Sequence, residues 1–291
     1  MTSRRIRAVV VAYSSGTYLH DLVASFPVAS KDPVAVTVVD NGSTDGTQDW
    51  VRAQSGLELL ESGRNLGYGG AANLGAVGVQ EQWLLVVNPD ITLHEHALDL
   101  LLDAAERWPS AAVLGPRIIT DGRVYPSARE LPSLGRGMGH ALFGWFWPAN
   151  PWTASYRRER GEPVEGVVGW LSGSCLLLRR DAFEAVGGFD EAYFMYFEDT
   201  DLCARLGRAG YDVVYAPDAV AAHHGGHSTV HHASAMTKVH HASAYLYLSR
   251  QYAGLRWLPL RAVLRAGLAA RYVLATRIGR LRDGAQPTRP A

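Results

Sequence analysis

Two groups of carboxylates, far apart in the chain, carry the residue types that a metal-assisted group transfer requires. Asp90 closes the tripeptide Asn88-Pro89-Asp90 just after the apolar run 83–87, and Glu198, Asp199 and Asp201 form an acidic cluster at the start of a helical pattern. An aspartate just past a strand end can help to hold Mg²⁺ or Mn²⁺, which take oxygen ligands. A carboxylate at the start of a helix can accept a proton. The two groups predict metal-assisted transfer, provided that they share one cleft.

A second set of polar residues follows other strand-like runs. Asp40 directly ends the run 34–39 and is predicted to accept hydrogen bonds from a nucleobase or ribose, whereas residues 43–45 are typical of helix caps. The segment 64–70, Arg64-Asn65-Leu66-Gly67-Tyr68-Gly69-Gly70, precedes a helical pattern. Its cation, its glycines and the helix N-terminus favour a bound diphosphate, although an ordinary glycine-rich turn has the same composition.

The second half of the chain contributes a small turn and several histidines. Ser172-Gly173-Ser174 precedes the apolar run 175–178, and its glycine and hydroxyls suit a bound sugar, although a plain β-turn is equally compatible. Trp170 either stacks on a sugar face or lies in the core. Four later histidines are assigned to the surface or to an acceptor phosphate: His231, His232, His240 and His241.

The elements that must position these residues follow an alternating pattern. Val-rich runs alternate with helical stretches, which predicts an α/β fold with a mostly parallel sheet. Strands are predicted at 6–12, 34–39, 83–87, 167–170, 175–178 and 213–215, and helices near 18–26, 46–54, 69–80 and 94–107, from 181, and near 200. Ligands of such sheets bind at the carboxyl ends of the strands. Residues 120–165, with Trp145, Trp147 and Trp152, predict an irregular insertion or lid.

Composition indicates a globular intracellular protein. The chain has 291 residues, of which 47% are hydrophobic and 19% charged, enough for a full core. Cys175 and Cys203 lack the spacing of a zinc site or a disulfide framework, which fits a reducing cytosol. The short apolar run after the N-terminus does not predict a signal peptide.

The charge of the chain is unevenly distributed. Residues 255–291 contain eight arginines and one aspartate, so this tail carries +7 and the preceding residues carry −7. Apolar residues recur among the arginines at near-helical spacing, without the roughly 20 apolar residues of a spanning helix. The tail is therefore predicted to be an amphipathic helix on an anionic membrane, the alternative being a helix that packs on the body. Nucleic acid is not expected as a partner, because no binding module accompanies the basic tail.

Several motifs, taken in order from about residue 7 to residue 229, resemble those of family 2 glycosyltransferases with the A-type (GT-A) fold. Asn88-Pro89-Asp90 resembles the family's metal motif, residues 40–43 its nucleotide-base motif, and Arg64-Asn65-x-Gly67 its ribose and diphosphate contact. Glu198-Asp199 with Asp201 resembles its acidic catalytic motif. The segment 223–229 resembles the one that contains the family's metal histidine. Residues 68–73, 194–199 and the His-Ser-Thr segment 227–229 resemble those of bacterial rhamnosyltransferases of cell-wall assembly.

The resemblance implies an inverting transfer in which an acceptor hydroxyl attacks the anomeric carbon as a nucleoside diphosphate leaves. Asp199 is the expected base with Glu198 as its catalytic neighbour, while Asp201 caps or stabilises the helix. Asp90 and His223 are the expected ligands of Mg²⁺ or Mn²⁺, with His224 and His227 as alternatives to His223. The expected nucleotide-sugar residues are Ala12, Tyr13, Asp40, Asn41, Arg64, Asn65, Gly67 and Asn88. The expected acceptor residues are Trp170, Ser172, Gly173 and Ser174.

The resemblance further implies transfer of L-rhamnose from dTDP-L-rhamnose to polyprenyl-diphosphate-linked N-acetylglucosamine, by a peripheral protein on the cytoplasmic face of the membrane. Residues 1–230 are expected to form the GT-A domain, with a nucleotide-sugar half at 1–119 and an acceptor half at 120–230. Residues 231–291 are expected to form a basic helical region that associates with the membrane. The sequence is also compatible with a homodimer.

Three other functions stay open at this stage. The first is transfer from a UDP-hexose to a polysaccharide by a member of the same family. The second is a nucleotidyltransferase, which usually has a basic glycine-rich loop after the first strand, whereas residues 12–17 of this chain contain no arginine or lysine. The third is a non-catalytic module that binds a carbohydrate or a nucleotide sugar, which the joint presence of Asp90, Asp199 and a histidine disfavours.

Overall fold

The computed structural model describes residues 6–132, 163–225 and 233–283. The chain divides into two compact units. One comprises Met1–Ala192 and Glu198–Gly225, and the other comprises Tyr193–Phe197 and Gly226–Ala291. Two sets of predicted features lie outside the described residues: most of the insertion, with Trp145, Trp147 and Trp152, and the histidines His227, His231 and His232.

The strands and helices are as follows. The strands are β1 (Ile6–Ala12), β2 (Ala35–Asp40), β3 (Leu57–Glu61), β4 (Trp83–Val87), β5 (Ile91–Leu93), β6 (Ala111–Thr120), β7 (Arg123–Tyr125), β8 (Ala128–Arg129), β9 (Gly166–Val167), β10 (Trp170–Leu171), β11 (Cys175–Arg179) and β12 (Asp212–His223). The helices are α1 (Tyr18–Ala29), α2 (Thr47–Ala53), α3 (Gly67–Ala76), α4 (Ala97–Arg107), α5 (Arg180–Ala185), α6 (Glu198–Arg208), α7 (Ala233–Gln251) and α8 (Leu258–Asp283).

The first unit is built on a mixed, mostly parallel sheet, which confirms the predicted fold class. Its strand order is β3-β2-β1-β4-β11-β6-β12-β5. The pairs β3–β2, β2–β1, β1–β4 and β6–β12 are parallel, whereas β11 and β5 run antiparallel to their neighbours. Because β1, β2 and β4 are parallel, their carboxyl ends meet at one edge of the sheet.

Both faces of this sheet are buried. Along β1, Ile6, Ala8 and Val10 belong to one apolar cluster and Val9 and Val11 to the other. Successive side chains of a strand point to opposite faces, so an uninterrupted apolar run is what a strand covered by helices on both sides requires. Helices α1 and α4 pack on the first cluster's side, and α3 packs on β1 and β2 from the second.

Helix α3 approaches the sheet closely because of a glycine. A Cβ on Gly75 would lie 2.7 Å from Val39 Cγ2 and closer still to Val9 Cγ1. The helix is shorter than the predicted 69–80: it begins at Gly67 and ends at Ala76, because Val77 is extended and Gly78 has a positive φ of 73°.

The second unit contains α7 and α8, so the predicted C-terminal helices are confirmed. Within it, Ser243 Oγ donates a hydrogen bond to the carbonyl of Met195 at 2.8 Å. Tyr196 and Phe197 both have a φ of 67°. The centres of their rings lie 5.3 and 5.5 Å from the centre of the His240 ring. Burial, and then the positive charges of His241 and Arg271, lower the pKa of His240. In the described part of the chain, no helix is both long and apolar enough to span a bilayer.

Candidate active site

The loops that follow β1 and β2 are joined to each other. Ser14 N–H donates to Ser43 Oγ at 2.9 Å, and Gly16 N–H donates to Asp45 Oδ2 at 2.8 Å. Burial by itself would raise the pKa of Asp45, but hydrogen bonds from Thr47 and Gly16 outweigh it and lower that pKa. These contacts hold the first loop in place and leave Tyr13 at its start 43% exposed. Tyr13 is therefore accessible to a nucleotide, as its predicted role requires.

Asp40 is the last residue of β2 and is only 2% exposed. Its carboxylate accepts hydrogen bonds from Ser43 N–H at 3.1 Å and Gly42 N–H at 3.3 Å, and from Gln48 Nε2 at 2.6 Å. A carboxylate with these partners holds its own loop. The direct nucleobase contact assigned to Asp40 stays a prediction.

The amide of Asn41 joins the end of β2 to the start of α3. Its Nδ2 donates to Asn65 Oδ1 at 3.1 Å and to the Gly67 carbonyl at 3.2 Å, while its Oδ1 accepts from Leu66 N–H at 2.8 Å. Asn41 is 3% exposed, so it organises the loop from beneath. Arg64 and Asn65 are exposed on that loop, at the N-terminus of α3, where anions are favoured.

The register of β5 and β12 places Asp90 beside His223. These strands pair antiparallel with His223 opposite Ile91, and His224 N–H donates to the Asp90 carbonyl at 3.0 Å. His223 Nε2 lies 3.3 Å from Asp90 Oδ2. The two expected metal ligands, distant in the sequence, therefore lie next to each other. The ring of His224 is used elsewhere, since its Nε2 lies 3.0 Å from Thr92 Oγ1.

The pair Asp90 and His223 fits a divalent cation. Asp90 Oδ1 is buried and has no hydrogen-bond partner among the described residues. A buried carboxylate oxygen without a partner is costly unless a ligand satisfies it. Within the described ranges no third His, Cys, Asp or Glu joins the pair. Substrate oxygens and water would complete the coordination, as is usual for Mg²⁺ at phosphate sites.

Asp199 borders the same turn as the Asn88–Asp90 segment. Its Oδ2 accepts a hydrogen bond from Gly173 N–H at 2.8 Å, and the Ser174 carbonyl accepts one from Asn88 N–H at 2.9 Å. Gly173 therefore bonds to the candidate base, and Ser174 bonds to Asn88, two residues before the candidate metal ligand Asp90. The structure brings the two segments that carry these carboxylates to one turn, and their shared cleft stays a prediction.

Glu198 and Asp199, side by side at the start of α6, have different surroundings. Asp199 Oδ1 accepts from Thr200 N–H at 2.6 Å and from Thr200 Oγ1 at 3.2 Å, in addition to the Gly173 bond. Glu198 is 6% exposed, and its Oε2 has no partner in the described part of the chain. Burial, then the charge of Asp199, raises the pKa of Glu198 from 4.5 to about 8. Burial also raises the pKa of Asp199, but its hydrogen bonds favour the ionised form.

The other expected acceptor residues differ in exposure. Trp170 is 9% exposed, its indole N–H donates to the Glu130 carbonyl at 3.1 Å, and the Arg129 guanidinium lies 5.2 Å from its ring centre. This burial disfavours sugar stacking, which stays a prediction. Ser172 Oγ and Ser174 Oγ lie 3.2 Å apart on the turn that Asp199 borders.

Two further sequence-assigned residues have mainly structural contacts. The carbonyl of Ala12 accepts from Asn41 N–H at 2.8 Å, and its side chain is fully buried, so its assigned nucleotide contact stays a prediction. Asp201 is 6% exposed and forms an ion pair with Arg205 Nε at 2.6 Å, one turn along α6. This ion pair agrees with the helix-stabilising role expected of Asp201.

Sequence reasoning did not assign a role to Tyr68, Asn73 or Gln48. Tyr68 OH donates to the Gly173 carbonyl at 2.6 Å, and Asn73 Nδ2 donates to the Phe189 carbonyl at 2.8 Å. One signal was present: α3 consists otherwise of Gly, Ala and Leu, so a tyrosine and an asparagine are its only polar side chains. No comparable signal distinguishes Gln48.

Comparison with known proteins gives a consistent family. The model described as Glycosyl transferase family 2 matches residues 8–187, and one described as N-terminal domain of galactosyltransferase matches residues 169–232. The N-acetylglucosaminyl-diphospho-decaprenol L-rhamnosyltransferase of Mycobacterium tuberculosis is 50% identical over 282 residues, which cover 92% of each chain. The rhamnosyltransferase WbbL of Escherichia coli is 27% identical over 252 residues, covering 84% of this chain and 92% of WbbL.

Solved structures share the fold at low sequence identity. TarS 1–349 of S. aureus in complex with UDP-GlcNAc has a TM-score of 0.56 and 17% identity, and the match covers 82% of this chain and 65% of TarS 1–349. GalNAc-T7 with UDP, GalNAc and Mn²⁺ has a TM-score of 0.55 and 12% identity, and the match covers 77% of this chain and 44% of GalNAc-T7. The chain spans less than two thirds of these structures, and the likeness concerns the GT-A fold. With half of its residues shared along nearly the whole of one relative, and with the family model matching more than half of its length, this chain belongs to glycosyltransferase family 2 and is a glycosyltransferase.

Proposed function

We propose that this enzyme transfers L-rhamnose from dTDP-L-rhamnose to N-acetylglucosamine linked to a polyprenyl diphosphate. The observation that carries the proposal is the 50% identity to the mycobacterial rhamnosyltransferase over 92% of both chains. The 27% identity to a second rhamnosyltransferase, over 92% of that protein, supports the same sugar. The donor nucleotide is part of the proposal.

In the proposed mechanism Asp199 removes the proton of the acceptor hydroxyl. The hydroxyl oxygen attacks the anomeric carbon as the nucleoside diphosphate leaves from the opposite face, so the configuration at that carbon is inverted. The hydrogen bonds from Gly173 and Thr200 support this role, because they stabilise the ionised carboxylate. Glu198, whose pKa burial raises to about 8, contributes a neutral side chain beside the base at neutral pH. Ser172 and Ser174 supply hydroxyls for the acceptor sugar.

Asp90 and His223 would hold the divalent cation, Mg²⁺ or Mn²⁺. Such a cation supplies positive charge that offsets the charge of the departing diphosphate. Arg64 and the N-terminus of α3 supply further positive charge to the same phosphates. Asn65 and Tyr13 are exposed and are proposed to contact the nucleoside.

The proposal is tested with a panel of nucleotide sugars. Purified enzyme is given N-acetylglucosaminyl-diphospho-decaprenol with dTDP-L-rhamnose, UDP-GlcNAc, UDP-galactose or UDP-glucose, and the lipid products are analysed by mass. We expect a deoxyhexose adduct from dTDP-L-rhamnose, its loss with chelator, and recovery with Mg²⁺ or Mn²⁺. Asp199→Asn should lower the rate by about 10²-fold or more, while Glu184→Gln, an exposed change on α5, serves as the control. Efficient transfer from a UDP-hexose instead would contradict the proposed donor.

We also propose that residues 231–291 hold the enzyme on the cytoplasmic face of the membrane, with residues 1–230 as the catalytic domain. Leu255 is 82% exposed and Val263 69% exposed, and exposed arginines lie between them and after them. Exposed apolar residues mixed with cations suit a surface of anionic lipid.

Vesicle sedimentation tests this membrane contact. The double variant Leu255→Ser/Val263→Ser should bind less to vesicles that contain anionic lipid, whereas Val77→Ser, which alters a valine that is 78% exposed on the other unit, should bind like the unmodified protein. Equal binding by both variants would remove the proposed role of the tail.

A further inference from the structure

Gly173 is bonded through both of its peptide groups. Its N–H donates to Asp199 Oδ2 at 2.8 Å, and its carbonyl accepts from Tyr68 OH at 2.6 Å. The next carbonyl, that of Ser174, accepts from Asn88 N–H at 2.9 Å. Tyr68, on α3, and Asp199, on α6, therefore hold opposite sides of one residue.

The residue between them is a glycine, which has no Cβ to crowd Asp199. A Cβ at this position would lie 3.3 Å from Asp199 Cβ and 3.4 Å from Asp199 Oδ2, which is tighter than ordinary packing. A residue without a side chain allows Asp199 to come this close to the backbone. It also has the largest conformational freedom of any residue, so hydrogen bonds from neighbouring groups help to fix the direction of its N–H.

The ring of Tyr68 is itself held in place. It packs edge-on against the ring of Phe189, with 6.2 Å between the ring centres. Asn73 in turn holds the backbone of Phe189 through two hydrogen bonds of 2.8 Å: it donates one to the carbonyl and accepts one from the N–H. A Cβ on Gly69 would lie 2.8 Å from Phe189 Cβ, so α3 rests directly on this residue. Burial, and then the charge of Glu198, keeps the pKa of Tyr68 well above its usual value, so the hydroxyl remains a donor.

We propose that Tyr68 is a positioning residue for the base Asp199 and that it acts through the backbone of Gly173. This inference rests on the proposed role of Asp199 in catalysis. Loss of the Tyr68 hydroxyl frees the Gly173 carbonyl and loosens the N–H that stabilises the ionised carboxylate. The base is then less well oriented, and its ionised form is less favoured.

The test compares Tyr68→Phe with Tyr211→Phe, which removes a hydroxyl from a half-buried tyrosine that packs on the same apolar cluster and directly precedes β12. We expect Tyr68→Phe to lower kcat by about three- to tenfold, the range that corresponds to one hydrogen bond, with KM for the donor unchanged. The acidic limb of its pH–rate profile should move to higher pH, because the base loses a stabilising donor. Tyr211→Phe should match the unmodified enzyme in both respects. A kcat and pH profile of Tyr68→Phe equal to those of the unmodified enzyme would overturn the proposal.

A second measurement does not depend on activity. In protein labelled with ¹³C at aspartate carboxyl groups, the signal of Asp199 is identified by its loss in Asp199→Asn and is titrated in the unmodified protein and in Tyr68→Phe. A higher pKa in Tyr68→Phe supports the positioning role even if no tested donor or acceptor reacts, in which case only the proposed function fails. An unchanged pKa sinks the positioning role whatever the activity.

Discussion

Replacing Glu198 by glutamine should make the stability of the fold less dependent on pH. Glu198 is 6% exposed, and burial together with the charge of Asp199 raises its pKa from 4.5 to about 8. Between these values the folded chain keeps a proton that the unfolded chain has released. The contribution of Glu198 to stability is thus fully present below pH 4.5 and is lost progressively as the pH rises to about 8.

The size of the effect follows from this window. Each pH unit within it lowers the free energy of unfolding by about 1.4 kcal/mol, so roughly 3 kcal/mol is lost between about pH 5.5 and about pH 7.5. This figure is an upper value, because Asp199 competes for the same proton. Glutamine imitates the neutral carboxyl and does not titrate, so the variant should gain stability relative to the unmodified protein by up to this amount over the same interval.

Urea unfolding at three pH values in this interval measures the difference. Glu184→Gln, which removes an exposed carboxylate on α5, controls for the loss of a charge at the surface and should leave the pH dependence unchanged. Parallel curves for Glu198→Gln and the unmodified protein would refute the reasoning. If Asp199→Asn alone flattened the curve, the shared proton would reside on Asp199, and the proposed base would be neutral at pH 7.

Two other predictions concern helix α3. Gly75→Ala should destabilise the protein by about 2 kcal/mol in urea unfolding, because the new Cβ overpacks against valine methyl groups of β1 and β2. The matched change Gly207→Ala, also next to a helix end but with no atom within 4 Å of the new Cβ, should stabilise it by about 0.5 kcal/mol. Equal effects of the two would contradict the packing argument. Asn73→Ala should lower the free energy of unfolding by about 2 kcal/mol in the same assay, since it removes both hydrogen bonds to the Phe189 backbone. A decrease below about 0.5 kcal/mol would contradict this prediction and show that water replaces these bonds.

The sequence was most informative where local pattern determines structure. The apolar runs at 6–12 and 83–87 coincide with β1 and β4, because strands covered on both faces are continuous in hydrophobicity. It missed β3, an edge strand whose residues are only half-buried or exposed, and β5, which has three residues, because neither carries a periodic signal long enough to recognise. It also missed the ten-residue, mostly buried strand β6, whose apolar run is interrupted by Gly115 and Pro116. The mostly parallel class of the sheet followed from the βα alternation alone.

The candidate residues of the site were also visible in the sequence, as residue types at strand and helix ends. Carboxylates, an exposed arginine and small turns mark the places where ligands of open α/β sheets bind. Family motifs then assigned roles to Asp90, His223 and Asp199. These assignments depend only on residue types and on their order along the chain, both of which the sequence contains.

Only the tertiary structure decided which of these groups touch and in which state they are held. The antiparallel register of β5 and β12 puts His223 beside Asp90, and one turn links Asn88 to Asp199. Packing also gives the first two residues of α6 different surroundings. In the described ranges Glu198 Oε2 is buried without a hydrogen-bond partner, whereas the carboxylate of Asp199 accepts hydrogen bonds from the backbone N–H groups of Gly173 and Thr200. Such differences arise from long-range contacts, because burial and hydrogen bonding are properties of a residue's neighbours in space and not of its position in the chain.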